Sequence, residues 1–292
     1  MFAQSGSGRH YPDDWLYELK LDGVRCITFL SDDTRLQGRS GNNLTALFPE
    51  LKDLHKQAGR PCILDGEIIC EDFKAIQRRV HKVRAFDIRM AAREYPAVYY
   101  AFDVLEIDGE STMRSFQLER KERLASVFRD GEKGRILPYQ VGAGEALHVL
   151  SRAQKLEGIM AKSPRGIYVP GWRGNVWLKI KNFQTGTFLV CGVTAGESAR
   201  ESTFGSLILA EEAEGRLVYV GSVGSGFTEK EQWEILKLLG EAKRGSASLE
   251  ADPGKPVLFW TRPVFKVEVQ YLEKGSDGKL RFPSFKGLTE GR

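Results

Sequence analysis

The chain has 292 residues, of which 41% are hydrophobic and 28% are charged, and its formal net charge is +4. This length and composition predict one large or two medium domains with a real hydrophobic core, and the mild charge permits a polyanionic partner without requiring one. No apolar run approaches the roughly 20 residues of a membrane helix, and the N-terminus lacks signal-peptide character, so we expect a cytoplasmic protein without membrane contact.

The cysteines do not form a metal site in the sequence pattern. None belongs to a C-x-x-C pair, and no histidine pair stands near them at zinc spacing. We therefore expect free thiols in a reducing cytosol at Cys26, Cys62, Cys70 and Cys191.

The first distinctive segment is residues 17–25, with the sequence YELKLDGVR. A lysine becomes a nucleophile when it loses its proton, which burial and a neighbouring cation such as Arg25 favour, so Lys20 is a candidate nucleophile. Asp22 can orient the ammonium. The same letters also fit a strand end with a surface lysine and a tight turn at Asp22 and Gly23.

The rest of the first half alternates between strand and helix patterns. Apolar and β-branched runs predict strands at 24–30, 62–70 and 97–107, the last closed by the turn signal Asp108-Gly109. Apolar residues at helical spacing predict helices at 116–128 and 145–156, the second ending before Gly158.

The pattern changes near residues 182–186, after which short strands with tight turns predominate. They are expected at 187–194, 207–210, 216–223 and 265–271. Thr228 and Glu231 form a capping-box pattern ahead of one helix, whose apolar residues include Trp233. Short strands with one helix suit a small Greek-key barrel of the oligonucleotide-binding type, although periodicity leaves another small barrel or a sandwich open.

Charged and aromatic residues recur at the predicted strand ends. Each of them alone fits a loop charge, a solvated strand end or a core residue. Together with Lys20 they supply phosphate-binding cations, carboxylates for Mg²⁺ and a ring to stack a base, which is the inventory for attack on a nucleoside triphosphate. These residues are Arg39, Glu67, Phe102, Glu157, Lys179 and Lys181, the two lysines sharing a strand face with Trp177.

The order of these motifs resembles the covalent nucleotidyltransferases, the superfamily of ATP-dependent DNA ligases, RNA ligases and mRNA capping enzymes. Residues 20–23 resemble their first motif, whose lysine forms a phosphoamide with a nucleotide. Four further segments of the chain resemble the later motifs of that superfamily: residues 65–67, 102–103, 157–159 and 178–181. Residues 204–207, 220–227 and 281–288 are similar to the oligonucleotide-binding domain of compact bacterial and archaeal DNA ligases, above all the ligase module of the end-joining ligases.

The resemblance implies a mixed α/β nucleotidyltransferase (adenylation) domain over residues 1–184 and an all-β oligonucleotide-binding (OB) barrel over 185–292. It implies ATP-dependent sealing of nicks in duplex DNA through lysyl-AMP and DNA-adenylate intermediates. About 19 residues precede Lys20, so we expect a minimal two-domain ligase without an N-terminal DNA-binding domain. Nicked duplex DNA is the implied partner, an end-binding protein and a repair polymerase are candidate protein partners, and a monomer is expected.

The resemblance also implies a role for each motif residue. Lys20 attacks the α-phosphate of ATP beside Asp22. By the same resemblance, Arg25 and Glu67 bind the ribose side, Phe102 stacks on adenine and Glu18 contacts the adenine edge. Lys179 and Lys181 bind the α-phosphate, and Arg39 binds the 5′-phosphate of the nick. Glu157 and Glu67 bind the divalent metal, Mg²⁺ or Mn²⁺.

The final motif departs from the family pattern. In the family, an arginine usually follows the Gly-Leu of this motif, whereas this chain has Thr289. We therefore expect either that Lys286 or Arg292 substitutes for the arginine or that self-adenylation is weak.

Two alternative functions stay open: an RNA ligase or capping-type guanylyltransferase, and a decayed transferase that only binds nucleic acid. The intact Lys20 and Glu157 argue against decay, and the repair pathway, end joining or excision repair, is left open.

Overall fold

We analysed a computed structural model of the chain, which describes residues 1–197, 200–245, 249, 253–275 and 277–289. Its internal contacts divide the chain into two compact units, Met1–Asn182 and Phe183–Arg292. The first unit thus ends at Asn182, whereas the sequence pattern placed the boundary after residue 184. Within the described ranges, none of the helices combines the length and the apolar character needed to cross a membrane.

The first unit contains two β-sheets and four α-helices. Its strands are β1 (Phe2–Ser5), β2 (Leu16–Leu19), β3 (Val24–Leu30), β4 (Thr34–Gly38), β5 (Cys62–Ile69), β6 (Val98–Ile107), β7 (Glu110–Ser111), β8 (Gly134–Ile136), β9 (Tyr139–Val141), β10 (Gly158–Lys162) and β11 (Arg173–Lys181). Its helices are α1 (Phe73–Val80), α2 (Ala85–Glu94), α3 (Gln117–Val127) and α4 (Gly144–Ala153).

The five-stranded sheet has the order β1-β11-β10-β2-β9. Strand β10 is antiparallel to both β2 and β11, and its side chains alternate between the two faces of the sheet. Ile159 and Ala161 are buried in a cluster with Tyr17 and Ile180, against which Leu147 of α4 packs. The opposite face of β10 carries Met160 and Lys162, which line the pocket described below.

The six-stranded sheet has the order β4-β3-β5-β6-β7, with β8 parallel to β6. A β-bulge interrupts the pairing of β5 with β6, because Asp65 pairs with Asp103 and Gly66 pairs with Ala101. Phe102 is therefore the extra residue, and a bulge of this kind re-aims a side chain relative to the strand alternation. A Cβ on Gly66 would lie 2.4 Å from the ring of Tyr99, so only glycine fits the tight crossing beside the bulge.

The predicted elements of this unit are confirmed with one change at a helix end. Helix α4 ends at Ala153, earlier than the sequence pattern indicated, because Lys155 adopts a left-handed conformation with φ 56°. Gly158 therefore does not cap the helix. It begins β10 with φ 142°, and a Cβ there would lie 2.1 Å from the carbonyl oxygen of Ile180.

The second unit is built mostly from strands. They are β12 (Gln184–Thr194), β13 (Leu207–Ala213), β14 (Arg216–Val223), β15 (Lys243–Arg244), β16 (Val257–Thr261), β17 (Lys266–Tyr271) and β18 (Ser284–Thr289). The sheet order is β14-β13-β12-β16-β15, and β17 joins β12 to β18. Helix α5 (Glu229–Glu241) begins with the expected capping box of Thr228 and Glu231, but Trp233 is exposed rather than part of its buried face.

The four cysteines are free, as expected. Burial raises the pKa of each thiol above its usual value, to about 11 for Cys26, Cys70 and Cys191 and to about 12 for Cys62. The thiol form therefore predominates at neutral pH.

Candidate nucleotide-binding site

A pocket of about 240 Å³ opens in the first unit and collects side chains from both of its sheets. Cations predominate over anions in its lining. The pocket is lined by Phe2, Ala3, Glu18, Leu19, Lys20, Leu21, Arg25, Arg39, Glu67, Phe102, Leu137, Met160, Lys162, Arg173, Trp177, Lys179 and Lys181.

Cross-strand pairing explains how the five-stranded sheet contributes so many of these residues. Lys179 of β11 is opposite Met160 of β10, which in turn is opposite Glu18 of β2. Trp177 is opposite Lys162 in a neighbouring row. Residues paired in this way share one sheet face, so the rows form a continuous wall.

Lys20 lies directly after β2, where one carboxylate connects it to a second lysine. Its ammonium donates to Glu157 Oε2, and Lys181 Nζ lies 2.6 Å from the other oxygen of the same carboxylate, Oε1. The side chains of Lys20 and Lys181 are 20% and 17% exposed, whereas that of Glu157 is 7% exposed. We call these three residues the pocket cluster, with the two lysines at the pocket surface and Glu157 beneath them.

The backbone holds this cluster in register. The amide nitrogen of Lys20 donates to the carbonyl oxygen of Gly158 at 2.9 Å, which ties the end of β2 to the start of β10. Because Gly158 has no Cβ, β10 approaches β11 closely enough to bring Glu157 beside Lys181.

Arg25 of β3 is fixed by a buried carboxylate. Its guanidinium donates to Asp65 through Nε at 3.0 Å and Nη2 at 2.6 Å, and Tyr168 Oη donates to the same carboxylate at 2.9 Å. Burial works to lower the pKa of Arg25, but Asp65 overrides it and raises the pKa, so Arg25 is a permanent cation in the pocket wall.

Glu67 lies opposite Arg25 in the pairing of β3 with β5. Its Oε1 accepts a hydrogen bond from the amide nitrogen of Gly23 at 3.2 Å. Burial raises the pKa of Glu67 to about 7, and the positive charges of Lys20 and Arg25 oppose that rise. The carboxyl group is therefore partly protonated near neutral pH until another cation comes close.

An aromatic wall closes one side of the pocket. The rings of Phe102 and Trp177 meet edge to face, with centroids 6.0 Å apart. The Nζ of Lys162 lies 4.5 Å from the centroid of Phe102 and 4.3 Å from that of Trp177, within the range of cation–π attraction. Flat apolar surface of this kind suits a nucleobase.

A second group of one carboxylate and two lysines, here called the buried cluster, adjoins this wall, and two of its members, Glu18 and Lys162, also line the pocket. Glu18 pairs with Lys162, whose Nζ is 2.7 Å from Oε2, and with Lys121 of α3 through Oε1. The side chains of Glu18, Lys121 and Lys162 are 1%, 0% and 2% exposed. Burial lowers the pKa of Lys162 to about 8, although Glu18 opposes the shift.

The remaining cations surround Phe2. Its ring centroid lies 4.4 Å from the Arg39 guanidinium and 5.7 Å from that of Arg173. Burial together with the charges of Lys181, Arg173 and Lys20 lowers the pKa of Lys179. Positive charge is thus crowded at this end of the pocket, which suits a polyanionic ligand.

The structure brings together most, but not all, of the residues singled out from the sequence. Those that line the pocket are Glu18, Lys20, Arg25, Arg39, Glu67, Phe102, Lys179 and Lys181. Glu157 contacts Lys20 and Lys181 from outside the lining, and Asp22 does not line the pocket.

Sequence reasoning missed several residues of this site. Lys162 shares the alternation of Met160 along β10, a signal that could have placed it on the pocket face of the strand, where it lies opposite Trp177. Arg173 and Phe2 gave no signal, because they meet through the parallel pairing of β1 with β11, which local patterns do not reveal. Lys121 looked like one more charge on an amphipathic helix.

The carboxylates offer limited support for a metal site. Across the described residues, no group of three or more histidine, cysteine, aspartate or glutamate side chains could hold a metal ion. Mg²⁺ usually binds to one or two carboxylates together with substrate phosphates, and Glu67 and Glu157 fit that smaller protein contribution.

The final motif lies in the second unit. Lys286 and Thr289 are on β18, and Lys286 is exposed. The Oγ1 of Thr289 is buried and makes no hydrogen bond to the described part of the chain. Arg292 lies outside the described residues.

Comparison with known proteins agrees over both units. Residues 3–181 match the family model of the ATP dependent DNA ligase domain, and residues 200–292 match that of the ATP dependent DNA ligase C terminal region. The chain is 33% identical to the multifunctional non-homologous end joining protein LigD of Mycolicibacterium smegmatis, over 99% of this chain and 38% of that protein. It is 32% identical to a DNA ligase of Natronomonas pharaonis, over 100% of this chain and 55% of that protein. The chain thus spans about half or less of the length of these relatives.

Solved structures give the same result for the fold. A mycobacterial DNA ligase D complexed with ATP and MES is 27% identical, with a TM-score of 0.56 and coverage of 98% of this chain and 93% of that one. A Lig E DNA ligase described as binding DNA with a minimal scaffold has a TM-score of 0.68 over 99% of this chain and 98% of that one. At 18% identity, this second likeness shows the fold alone.

Proposed function

Because the chain belongs to the family of ATP-dependent DNA ligases, we propose that it seals nicks between a 3′-hydroxyl and a 5′-phosphate in duplex DNA. The family matches confirm the expected fold class, a nucleotidyltransferase domain followed by an oligonucleotide-binding domain. The observation that carries the proposal is the amine of Lys20 in a cation-rich pocket, bound to a carboxylate that it shares with Lys181.

The first step is attack of Lys20 Nζ on the α-phosphorus of ATP. A P–N bond forms, the P–O bond to pyrophosphate breaks, and the amine must first lose its proton. Glu157 is the carboxylate in contact with that ammonium, so it can hold the proton as the amine is released. The AMP then moves to the 5′-phosphate of the nick, and the 3′-hydroxyl expels it as the phosphodiester forms.

The cations around Lys20 have an electrostatic role in these steps. Phosphoryl transfer depends mainly on positioning and on neutralising charge, because the protein makes few covalent changes itself. Lys179 and Lys181 lie on the same strand face as Trp177 and are assigned to the α-phosphate. Arg39, at the exposed end of the pocket, is assigned to the 5′-phosphate of the nick, and Arg25 to the ribose side with Glu67.

The base and metal assignments follow the same geometry. Phe102 and Trp177 offer the surface on which adenine stacks, and Glu18 lines the pocket close enough to be assigned to the adenine edge. Glu67 and Glu157 would hold Mg²⁺ or Mn²⁺ together with the phosphates, and the ion would offset the negative charge that grows on them.

The second unit is assigned to DNA. Its match to the ligase C-terminal region supports DNA over RNA or a capped messenger as the substrate class. The name of the mycobacterial relative links it to non-homologous end joining, and we propose the same pathway here, with an end-binding protein and a repair polymerase as candidate partners. Phosphate contacts should make affinity for nicked duplex fall steeply with salt.

Incubation with α-labelled ATP or GTP, followed by a denaturing gel, tests the proposal. An AMP adduct that seals nicked DNA supports a DNA ligase. A GMP adduct would indicate a capping-type enzyme, sealing of RNA alone an RNA ligase, and no adduct a decayed protein that only binds nucleic acid. Addition of EDTA before ATP tests the divalent metal, because the adduct should then not form.

A further inference from the structure

We propose that Asn182 is a positioning residue for adenylation, which holds the turn before β10 so that Glu157 stays between Lys20 and Lys181. This inference rests on the proposed function, because it concerns the attack of Lys20 on ATP. Asn182 follows Lys181 directly and is the last residue of the first unit. The same short stretch of chain thus supplies a phosphate-facing lysine and fixes the carboxylate that contacts it.

Asn182 contacts the turn through both its backbone and its side chain. Its amide nitrogen donates to the carbonyl oxygen of Glu157 at 2.9 Å. Its Nδ2 donates to the carbonyl oxygen of Leu156 at 2.8 Å and to Ser151 Oγ at 3.0 Å. One side chain therefore connects helix α4, the turn and the end of β11.

The turn needs such an anchor because its own conformation is strained. Lys155 has φ 56°, which L-residues with a side chain adopt only at a cost. Gly158 has φ 142° and lies against the backbone of β11. Glu157 stands between these two positions and directly follows Leu156, so we expect a loss of the Leu156 contact to displace its carboxylate.

The orientation of the Asn182 side chain is itself supported by its neighbours. Ser151 is fully buried, and its Oγ donates to the carbonyl oxygen of His148 at 2.8 Å. Burial lowers the pKa of His148, and the interaction with the Asn182 side chain opposes that shift. The Nδ1 of His148 lies 2.6 Å from Tyr11 Oη, so the chain of contacts ends on a packed aromatic side chain.

The decisive experiment is a double-mutant cycle with single-turnover kinetics of AMP-adduct formation. Asn182→Asp keeps the shape of the side chain but removes both donated hydrogen bonds. We expect the rate at saturating ATP to fall about tenfold with little change in KM for ATP, the scale of a modest misplacement of reacting groups. In a Glu157→Gln background, the same change should cost less than twofold, because Asn182 acts through Glu157.

Controls separate this role from general damage and from failure of the proposed function. Asn175→Asp, an exposed change on the preceding strand β11, should leave the rate unchanged. Should Asn182→Asp not fold, as judged by its melting curve, Ser151→Ala removes one acceptor and should slow adduct formation about threefold, the smaller end of the same positioning effect. Equal losses from Asn182→Asp with and without Glu157 would overturn the inference. A wild-type protein that forms no adduct would instead refute the proposed function.

Discussion

The first unit contains the same chemical arrangement twice, one carboxylate between two lysines, in two different environments. In the pocket cluster the side chains of Lys20 and Lys181 are 20% and 17% exposed. In the buried cluster those of Lys121 and Lys162 are 0% and 2% exposed. The two clusters have the same composition, so the main difference between them is burial, which also lowers the pKa of Lys162 to about 8.

This difference decides what each cluster can do. At the pocket surface, water and a phosphate can replace the carboxylate as partner of a lysine, so the contacts of Lys20 and Lys181 are exchangeable. In the interior, a lysine that loses its partner stays as an uncompensated charge, which is strongly unfavourable. We infer that the pocket cluster serves chemistry, whereas the buried cluster fixes the aromatic wall through Lys162.

The largest difference between the two clusters is expected when Lys20 is changed. Lys20→Ala should abolish the AMP adduct, because it removes the amine that attacks ATP in the proposed mechanism and leaves Lys181 on the other oxygen of Glu157. The variant should still seal a nick that already carries 5′-AMP, at a reduced rate, since the last step needs no nucleophilic lysine. A labelled-ATP gel measures the first outcome and a preadenylated nick the second. Lys56→Ala, at an exposed lysine, is the control, and an adduct on Lys20→Ala would exclude Lys20 as the nucleophile.

The buried cluster should respond in stability rather than in chemistry. Lys121→Met removes one partner of Glu18 and should lower the free energy of unfolding by about 3–5 kcal/mol, the usual cost of breaking a buried ion pair. Lys181→Met in the pocket cluster should cost less than about 1 kcal/mol, as for other partly exposed pairs. Urea unfolding of both variants measures the difference, and equal losses would remove the distinction between the clusters.

Glu67 sharpens the comparison, because it is a buried carboxyl group whose pKa rises to about 7 from 4.5. The folded state then binds more protons than the unfolded state between these values, so stability should fall as pH rises from about 4.5 to 7. The total change is about 3 kcal/mol at 1.36 kcal/mol per pKa unit. Melting temperatures of the wild type and of Glu67→Gln, measured across this pH range, should give two plots of stability against pH, and the plot for the variant should be the flatter one. Parallel profiles would contradict the assignment.

The smallest of these effects is expected at Lys181, where the change should affect the rate of adduct formation and hardly affect the free energy of unfolding. Lys181→Ala should slow AMP-adduct formation on the order of a hundredfold, the scale of removing one electrostatic stabiliser of the transition state. The unfolding curve should hardly move. A rate near that of the wild type would make Lys181 an ordinary surface charge and leave Lys20 as the sole working cation of the pocket cluster.

Local patterns predicted those elements of the first unit that have clear turns or apolar runs, whereas the short strands β1, β4, β7, β8 and β9 and the helices α1 and α2 were not predicted. Strands β3, β5 and β6 and helix α3 were expected within one or two residues of their observed ends. The nucleotide-binding motifs were recognised by resemblance, and the structure places most of their residues around one pocket.

The parts that local patterns missed depend on pairing between distant segments. Phe102 itself was expected at the site, but the bulge beside it, which breaks the alternation of β6, was not. Lys121 lies on a helix with charges on several faces, and only the packing of α3 shows that its ammonium meets Glu18. Asn182 gave no signal either, because its partners are in α4 and the following turn.

The protonated thiols have a practical consequence for studying the pocket in solution. Maleimides and disulfide reagents react with the thiolate, so Cys26, Cys62, Cys70 and Cys191 should label slowly near pH 7. A single cysteine introduced at the exposed Ser40, next to Arg39, would then carry a fluorophore almost alone. Because the native cysteines should contribute little label, binding of nucleotide or DNA at the pocket can be followed by the fluorescence of this one site.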